Sequence, residues 1–180
     1  KPPMFCMLLR KHLSGARILE SGQTHLERVV TLRLETLDEL GDRVERRLVL
    51  EALGRRANLI LLDGEGRIVD CLRRVDGDMS AQRQLLPGLF YRLPPAMDKA
   101  DPTALDRAEL EGLLARAPEE AQADKWLLDT FNGLSPLICR ELVQRAGGAT
   151  DVRLNILGGE GRARLLDGLE ELLHNVKENR

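Results

Sequence analysis

The sequence contains few cysteines, and their placement argues against both disulfide bonds and metal binding. There are three in 180 residues: Cys6, Cys71 and Cys139. Their number is odd, they lie far apart, and no pair has the CxxC spacing typical of zinc sites. Each lies in an apolar run, so we expect buried, reduced thiols in a reducing compartment and no bound metal.

Aromatic residues and long apolar runs are also scarce. Aromatic side chains make up 3% of the chain, which argues against an RNA-binding sheet that stacks bases on exposed rings. No apolar run approaches the roughly 18 residues that cross a bilayer, so we expect no membrane partner.

The residues that catalysis requires are missing as well. The three histidines, His12, His25 and His174, have no spacing that suggests metal ligation. No serine or cysteine lies in a nucleophile elbow, and the glycine-rich stretches lack the lysine of a phosphate-binding loop. We therefore expect no catalytic residues, no cofactor and no enzymatic activity.

Charge is nearly balanced overall but is unevenly distributed. Residues 1–99 carry 17 basic and 14 acidic side chains, whereas residues 100–180 carry 10 and 15. A nucleic acid would therefore bind through a local patch in the first half. Arginines supply most of this positive charge, and arginine binds phosphate in a bidentate manner. They either form a solvated face or line a binding surface; they are Arg28, Arg33, Arg43, Arg46, Arg47, Arg55, Arg56, Arg73, Arg74, Arg83 and Arg92.

The first half of the chain predicts one helix and an antiparallel sheet. An apolar stripe predicts a helix over 4–14, which Gly15 ends. Alternating apolar residues from Arg17 onward predict a meander whose later strands cover 44–52, 57–63 and 67–72. The sequence Asp63-Gly64-Glu65-Gly66 is typical of a hairpin turn. The proline-rich stretch 75–101 fits neither helix nor central strand, and we expect it to wrap the sheet.

The second half predicts helices only. Thr103 and Asp106 resemble a capping box for a helix ending at Arg116, and Pro118 is a candidate first residue of the next helix, which would carry Trp126, Leu127 and Phe131. The last helix is expected from about Arg162 toward Lys177. The fold class predicted is α+β, with a β-rich domain over 1–100 and an all-α domain over 101–180.

The most specific local pattern is LLDTFNGLSPLICREL, which predicts a helix-hairpin-helix. Gly133 permits the tight turn, Leu134 tucks between the helices, Ser135 caps the second helix and Pro136 suits its first turn. Free backbone amides at such a turn can bind a nucleic-acid phosphate. Because Ser135 replaces the second glycine of the usual DNA-binding pattern and the surroundings are acidic, a structural or protein-binding role is an equal alternative.

Four blocks of the sequence resemble the NFACT family, in that family's order. The family includes bacterial RqcH and animal NEMF and was formerly called fibronectin-binding protein A. The blocks are PPMFCMLLRKHLSGARI, LVLEALGRRANLILLDGEGRIVDCLRRV, RQLLPGLFYRLPPAMDK and FNGLSPLICRELVQRAG. The resemblance implies a glycosylase-like, β-rich NFACT-N domain, followed by an all-α helix-hairpin-helix domain. Because the chain starts with Lys1 and with helix-like sequence, we expect it to begin inside a longer protein and to leave a sheet edge open to self-association.

The resemblance also implies a function in ribosome-associated quality control. Family members bind the obstructed large ribosomal subunit and tRNA in the cytoplasm and support C-terminal alanine tailing of stalled nascent chains. Their tRNA-contacting acid and arginine correspond to Glu27 and Arg28, with glutamate where other members often have aspartate. Arg83 and the hairpin residues Gly133, Leu134, Ser135 and Pro136 are further candidates for contact with RNA or the ribosome.

Two other functions stay open at this point. The family's earlier name suggests an adhesin-type surface module that binds fibronectin, although no disulfide framework supports export. The implied fold also suggests DNA repair by a glycosylase. However, fold alone does not transfer activity, and the prolines Pro2 and Pro3 open a helix and do not supply a glycosylase nucleophile.

Overall fold

The chain forms two compact units, Lys1–Ala96 and Met97–Arg180. The computed structural model describes residues 2–23, 26–80, 82–95 and 97–178, so His25 lies outside the described residues. The first unit contains one helix and a five-stranded sheet, and the second is helical. The predicted α+β class is therefore confirmed.

The first unit is an antiparallel meander with one helix. Helix α1 covers Met4–Leu13, and the strands follow in the order β1-β2-β3-β4-β5 both along the chain and across the sheet. They are β1 Arg17–Gln23, β2 Val29–Leu37, β3 Arg43–Glu51, β4 Asn58–Leu62 and β5 Ile68–Cys71. The predicted helix, meander and later strands are confirmed.

Turn residues fix the strand order and register. Between β4 and β5 the Asp63 carboxylate accepts hydrogen bonds from the amides of Glu65 and Arg67, and Gly66 has a φ of +87°. Only glycine adopts such a conformation at little cost, so the hairpin forms where the sequence predicted it.

The two faces of the sheet are covered by different parts of the chain. One face carries the first unit's core, in which Val49, Ile60 and Ile68 pack with Leu85 from the proline-rich segment. That segment is held by backbone hydrogen bonds between Val75 and Leu85 and between Ile68 and residues 88 and 89. It therefore wraps the sheet as predicted. Helix α1, with its buried Phe5, packs against β2.

The second unit is built from four helices around one apolar core. They are α2 Arg107–Ala115, α3 Ala123–Thr130, α4 Pro136–Gly147 and α5 Leu154–Lys177, with short 3-10 turns at Pro102–Ala104 here and at Gly54–Arg56 in the first unit. Leu127, Phe131 and Leu165 are almost fully buried in this core. Trp126 lies against Phe131, with ring centroids 5.6 Å apart in an edge-to-face arrangement.

Two predicted details of the helical unit were wrong. The capping box consists of Asp106 and Glu109, and Thr103 instead donates to Asp101, which caps the preceding turn. Pro118 begins a turn, and the next helix starts at Ala123 and ends before Phe131. Both errors arise because residues that favour a helix start, such as Thr103, Asp106 and Pro118, occur at several nearby positions. Leu154–Lys177 consists of two helical pieces joined across a kink at the non-helical Gly158, and the piece after Gly158 agrees with the last helix predicted from about Arg162 toward Lys177.

Two glycines in this unit should respond to alanine in opposite ways. A Cβ on Gly112 in α2 would meet only the end of the Arg116 side chain, at 3.8 Å, whereas a Cβ on Gly147 would lie 2.6 Å from Cδ2 of Leu157. Gly112→Ala should raise the free energy of unfolding by about 0.5–1 kcal/mol through helix propensity. Gly147→Ala should lower it by about 1–3 kcal/mol through overpacking.

The single tryptophan makes the measurement specific to the second unit. Trp126 fluorescence during urea unfolding reports this unit's core, and Gly112→Ala is the matched control for Gly147→Ala. Equal stabilisation by both substitutions would contradict the packing described around Leu157.

Candidate nucleic-acid interface at one end of the sheet

The predicted pair Glu27 and Arg28 lies where the chain enters β2. The Arg28 carbonyl accepts a hydrogen bond of 2.8 Å from the amide of Ala52, and the Gln23 side chain donates to the Glu27 carbonyl at 2.8 Å. Arg28 is exposed and Glu27 is half-buried. Because Val29 pairs with Glu51, this pair stands at the end of the sheet where β3 finishes and β4 begins.

A buried carboxylate organises the same end of the sheet. Glu51, the last residue of β3, is 1% exposed. The Arg83 guanidinium binds both of its carboxylate oxygens, and the Tyr91 hydroxyl donates to Oε1 at 2.8 Å. Arg83 Nε also donates to the Arg92 carbonyl at 2.7 Å. This network ties the proline-rich segment to the sheet.

The network restricts what Arg83 can contact. Its side chain is 14% exposed and its guanidinium lies 5.2 Å from the centroid of the Tyr91 ring. Its donors bind Glu51 and the Arg92 carbonyl, so it has a structural role whatever else it does. Direct contact of Arg83 with RNA stays a prediction.

A cavity of about 420 Å³ opens beside this network. Its walls are partly apolar, with Leu53, Val75 and Leu85 among them, and four arginines line it as well. These four are Arg55, Arg56, Arg73 and Arg83. The one carboxylate that lines the cavity, Glu51, is neutralised by Arg83.

The other three arginines of the cavity give it a net positive charge. Within the described part of the chain, Arg55, Arg56 and Arg73 form no ion pair with a carboxylate. Arg73 Nη1 donates to the Arg55 carbonyl at 2.8 Å, which fixes the turn that presents Arg55 and Arg56. Unpaired guanidinium groups around a recess are suited to bind a phosphodiester backbone.

Sequence reasoning identified these arginines as a composition bias and missed their convergence. Arg55 and Arg56 follow β3, whereas Arg73 follows β5, so they lie far apart in the sequence and meet only through the strand order. The doublet Arg55-Arg56 at the end of a strand, after Gly54, was the one local signal.

The second predicted site, the turn before α4, has the local geometry expected of it. Gly133 has a φ of +80°, the Ser135 hydroxyl accepts from the Ile138 amide at 3.3 Å, and Pro136 is the first helical residue. Leu134 is half-buried against the helical core. Contact of this turn with RNA stays a prediction.

The thiols show the opposite of catalytic activation. Cys71 and Cys139 are buried and Cys6 is half-buried. Burial raises the pKa of both buried thiols to about 11, so each is protonated at neutral pH. Among residues 2–23, 26–80, 82–95 and 97–178, no group of three or more His, Cys, Asp or Glu side chains could hold a metal ion. None of the helices described is long and apolar enough to cross a bilayer.

The fold defines a two-unit α+β protein, in which a five-stranded antiparallel meander precedes a helical unit. The particular family follows from comparison with known proteins. Residues 1–180 match the sequence model for NFACT N-terminal and middle domains, and the chain belongs to this family.

Several relatives agree with this assignment. The Rqc2 homolog RqcH of Bacillus subtilis is 42% identical over 155 residues, which cover 86% of this chain and 27% of the relative. The Rqc2 homolog RqcH of Streptococcus suis is 31% identical over 78% of this chain and 25% of its own length. The chain thus spans about a quarter of the length of these curated relatives.

Solved structures show the same fold. A fibrinogen-binding protein from Staphylococcus aureus superimposes with a TM-score of 0.79 at 29% identity, over 98% of this chain and 60% of that one. The N-terminal part of a fibronectin/fibrinogen-binding protein from Streptococcus suis gives 0.72 at 26% identity, over 94% and 59%.

The buried network should be visible in the titration of Tyr91. Burial, and then the hydrogen bond to the Glu51 carboxylate, raise the pKa of this tyrosine, which is the only one in the chain. Phenolate absorbance of the folded protein should therefore appear well above the ordinary midpoint of about 10. The raised pKa contributes stability that is complete below about pH 10 and is lost as pH rises through the folded value.

Glu51→Gln should bring the Tyr91 midpoint down, because the amide removes the negative charge that opposes phenolate formation. Glu45→Gln is the matched control, since Glu45 lies on the same strand but pairs with the half-buried Arg47. An ordinary midpoint in the folded wild-type protein would disprove the network.

Proposed function

We propose that this chain binds tRNA as part of a ribosome-associated quality-control factor, and that the arginine-lined end of its sheet is the contact. The observation that carries the proposal is the convergence of Arg55, Arg56 and Arg73 around one cavity, beside the exposed Arg28, in a member of the NFACT family. The proposed role is non-catalytic, and its setting is the cytoplasm.

The charge distribution supports a local polyanion contact. The chain as a whole has a formal net charge of −2, so a general positive field cannot attract RNA. Arg55, Arg56 and Arg73, which have no carboxylate partner in the described residues, form a local positive patch. Contacts of this type bind the RNA backbone in a salt-dependent manner.

The half-enclosed shape of the cavity supports a single-stranded or loop region of RNA. Its apolar walls can accept the face of one unstacked base, while the arginines at its rim bind the adjacent phosphates. A continuous duplex would reach only the rim. We therefore propose a tRNA loop as the element bound here.

Glu27 and Arg28 lie at the same end of the sheet as the cavity and extend the proposed contact. In this proposal the Arg28 guanidinium binds the tRNA, while Glu27 orients the turn. The hairpin turn of Gly133, Leu134, Ser135 and Pro136 is the proposed second contact, with RNA of the large ribosomal subunit. Support of alanine tailing belongs to the same proposal and follows from the family resemblance.

Neutralising the arginines should weaken tRNA binding without unfolding the protein. Replacing Arg55 and Arg56 with glutamine, or Arg28 with glutamine, should reduce affinity by about 10–150-fold for each phosphate group that is no longer bound, since charge-assisted hydrogen bonds contribute about 1.5–3 kcal/mol. The slope of log affinity against log salt should fall by about one for each such phosphate. Fluorescence anisotropy with labelled tRNA measures both quantities.

Arg43→Gln is the matched control. Arg43 lies on the same sheet and is exposed, but it starts β3 at the opposite end and pairs with Glu35. An equal loss of affinity in the control and in the double variant of Arg55 and Arg56 would show non-specific electrostatics. Absence of tRNA binding by the wild-type chain would overturn the proposal.

The names of the structural neighbours favour a second candidate, an adhesin-type module. Two of them are called fibrinogen-binding or fibronectin/fibrinogen-binding proteins. Surface plasmon resonance with immobilised fibronectin and fibrinogen tests this candidate on the same preparation. Saturable binding that survives the replacement of Arg55 and Arg56, together with no tRNA binding, would favour adhesion.

A further inference from the structure

A second cavity lies at the other end of the sheet, far from Glu27 and Arg28. It has a volume of about 500 Å³ and is formed by the last turn of α1 and the connection between β2 and β3. Strand β2, nine residues long, separates the two ends by roughly 30 Å. The residues that line it are Lys11, His12, Thr36, Leu37, Asp38, Glu39, Leu40 and Arg46.

The central feature of this cavity is Arg46, whose buried Nε atom has no acceptor among the described residues. Arg46 pairs with Leu34 across the sheet and lies on the face that α1 covers. Its Nε atom is buried and has no hydrogen-bond partner in the described residues. A buried, unsatisfied donor of a charged group is costly and calls for an explanation. Within the same residues Arg46 forms no ion pair either.

The last turn of α1 adds two more basic groups to the same recess. Burial, followed by repulsion from Arg46 and Lys11, lowers the pKa of His12, and Glu39 opposes this shift only weakly. Arg46 and Lys11 are therefore close enough to His12 to disfavour a positive charge on its imidazole. An anion placed among them would relieve that repulsion.

The two carboxylates in the cavity wall are already engaged. Glu39 pairs with Lys11 at 2.7 Å in an exposed position. Asp38 accepts hydrogen bonds of 2.9 Å from the amides of Leu40 and Asp42. Neither carboxylate forms an ion pair with Arg46 among the described residues.

We propose that this cavity binds a phosphate group, held by the Arg46 guanidinium and assisted by Lys11 and His12. The planar fork of a guanidinium matches the geometry of phosphate oxygens. Lys11, which is paired with Glu39, adds a further positive group to the lining, and Thr36 is a lining residue whose hydroxyl can donate a hydrogen bond. The proposal is independent of tRNA binding at the opposite end of the sheet.

Binding should be linked to the protonation of His12. The charged groups facing this imidazole are Arg46 from β3, Lys11 from α1, and Asp38 and Glu39 from the β2–β3 connection. A bound anion favours the imidazolium, so the pKa of His12 should rise when the site is filled. By linkage, affinity for an anion of constant charge should increase as pH falls through that pKa.

The imidazole resonances of His12 in an NMR pH titration of the 180-residue protein provide the test. Inorganic phosphate at constant ionic strength should shift these resonances saturably at about pH 7.5 and move the His12 midpoint upward. Sulfate, whose charge does not change in this range, should bind more tightly at about pH 6 than at about pH 8. Failure of both anions to move the wild-type midpoint would overturn the proposal.

Arg46→Gln and Arg47→Gln form a matched pair of variants. Arg47 is the next residue of the same strand, faces the opposite side of the sheet and pairs with Glu45. Arg46→Gln should raise the His12 midpoint in the absence of anion and abolish the further shift with phosphate. Arg47→Gln should leave both unchanged. An equal anion response in wild type and Arg46→Gln would disprove the site.

Two arms of the experiment distinguish the sources of the phosphate. A short oligouridine that reproduces the Arg46-dependent shift at lower phosphate concentration would identify a nucleic-acid backbone as the ligand. A shift with inorganic phosphate alone would identify a small phosphorylated molecule. Both results support a phosphate site, and neither depends on Arg55 or Arg56, so failure here is separable from failure of tRNA binding.

Discussion

The buried Glu51 carboxylate is the interaction on which the first unit depends. A carboxylate that is 1% exposed is tolerated only when it is paired and hydrogen-bonded, and Arg83 and Tyr91 provide this from the segment after the sheet. That segment has little regular structure of its own. The ion pair therefore acts together with the backbone hydrogen bonds to Ile68 in holding the proline-rich segment, and with it one wall of the arginine-lined cavity.

The sequence predicted the elements of this unit because each had a local signal. The apolar stripe of α1, the alternation in the later strands and the glycine turn at Gly66 all act within a few residues. The turn before α4 was equally local, since Gly133, Ser135 and Pro136 each have one conformational role. Helix starts were less predictable, because Thr103, Asp106 and Pro118 all carry start signals and only packing selects among them.

The sites were not predictable in the same way, because they depend on which residues meet. Arg55 and Arg73 come together through the β3-β4-β5 order, and Glu51 meets Arg83 across 32 positions of sequence. By composition alone the arginines of the first half are equivalent. In the fold, Arg83 forms a buried ion pair with Glu51, and Arg74 pairs with Asp70 at 3.0 Å. Arg55 and Arg56 form no ion pair with a carboxylate among the described residues. Only the strand order makes these distinctions.

Strand β3 connects the two candidate sites through the alternation of its side chains. Val49 and Glu51 point to the face covered by the proline-rich segment, whereas Arg46 points to the face covered by α1. A slip of one residue would exchange the faces, placing Arg46 in the apolar core and Glu51 beyond the reach of Arg83. Both changes would leave a buried charge unpaired, so Arg46 and Glu51 oppose a one-residue slip of β3. Charge placement in this sheet therefore opposes such a slip, and the anion binding proposed above would use arginines that have no carboxylate partner in the described residues.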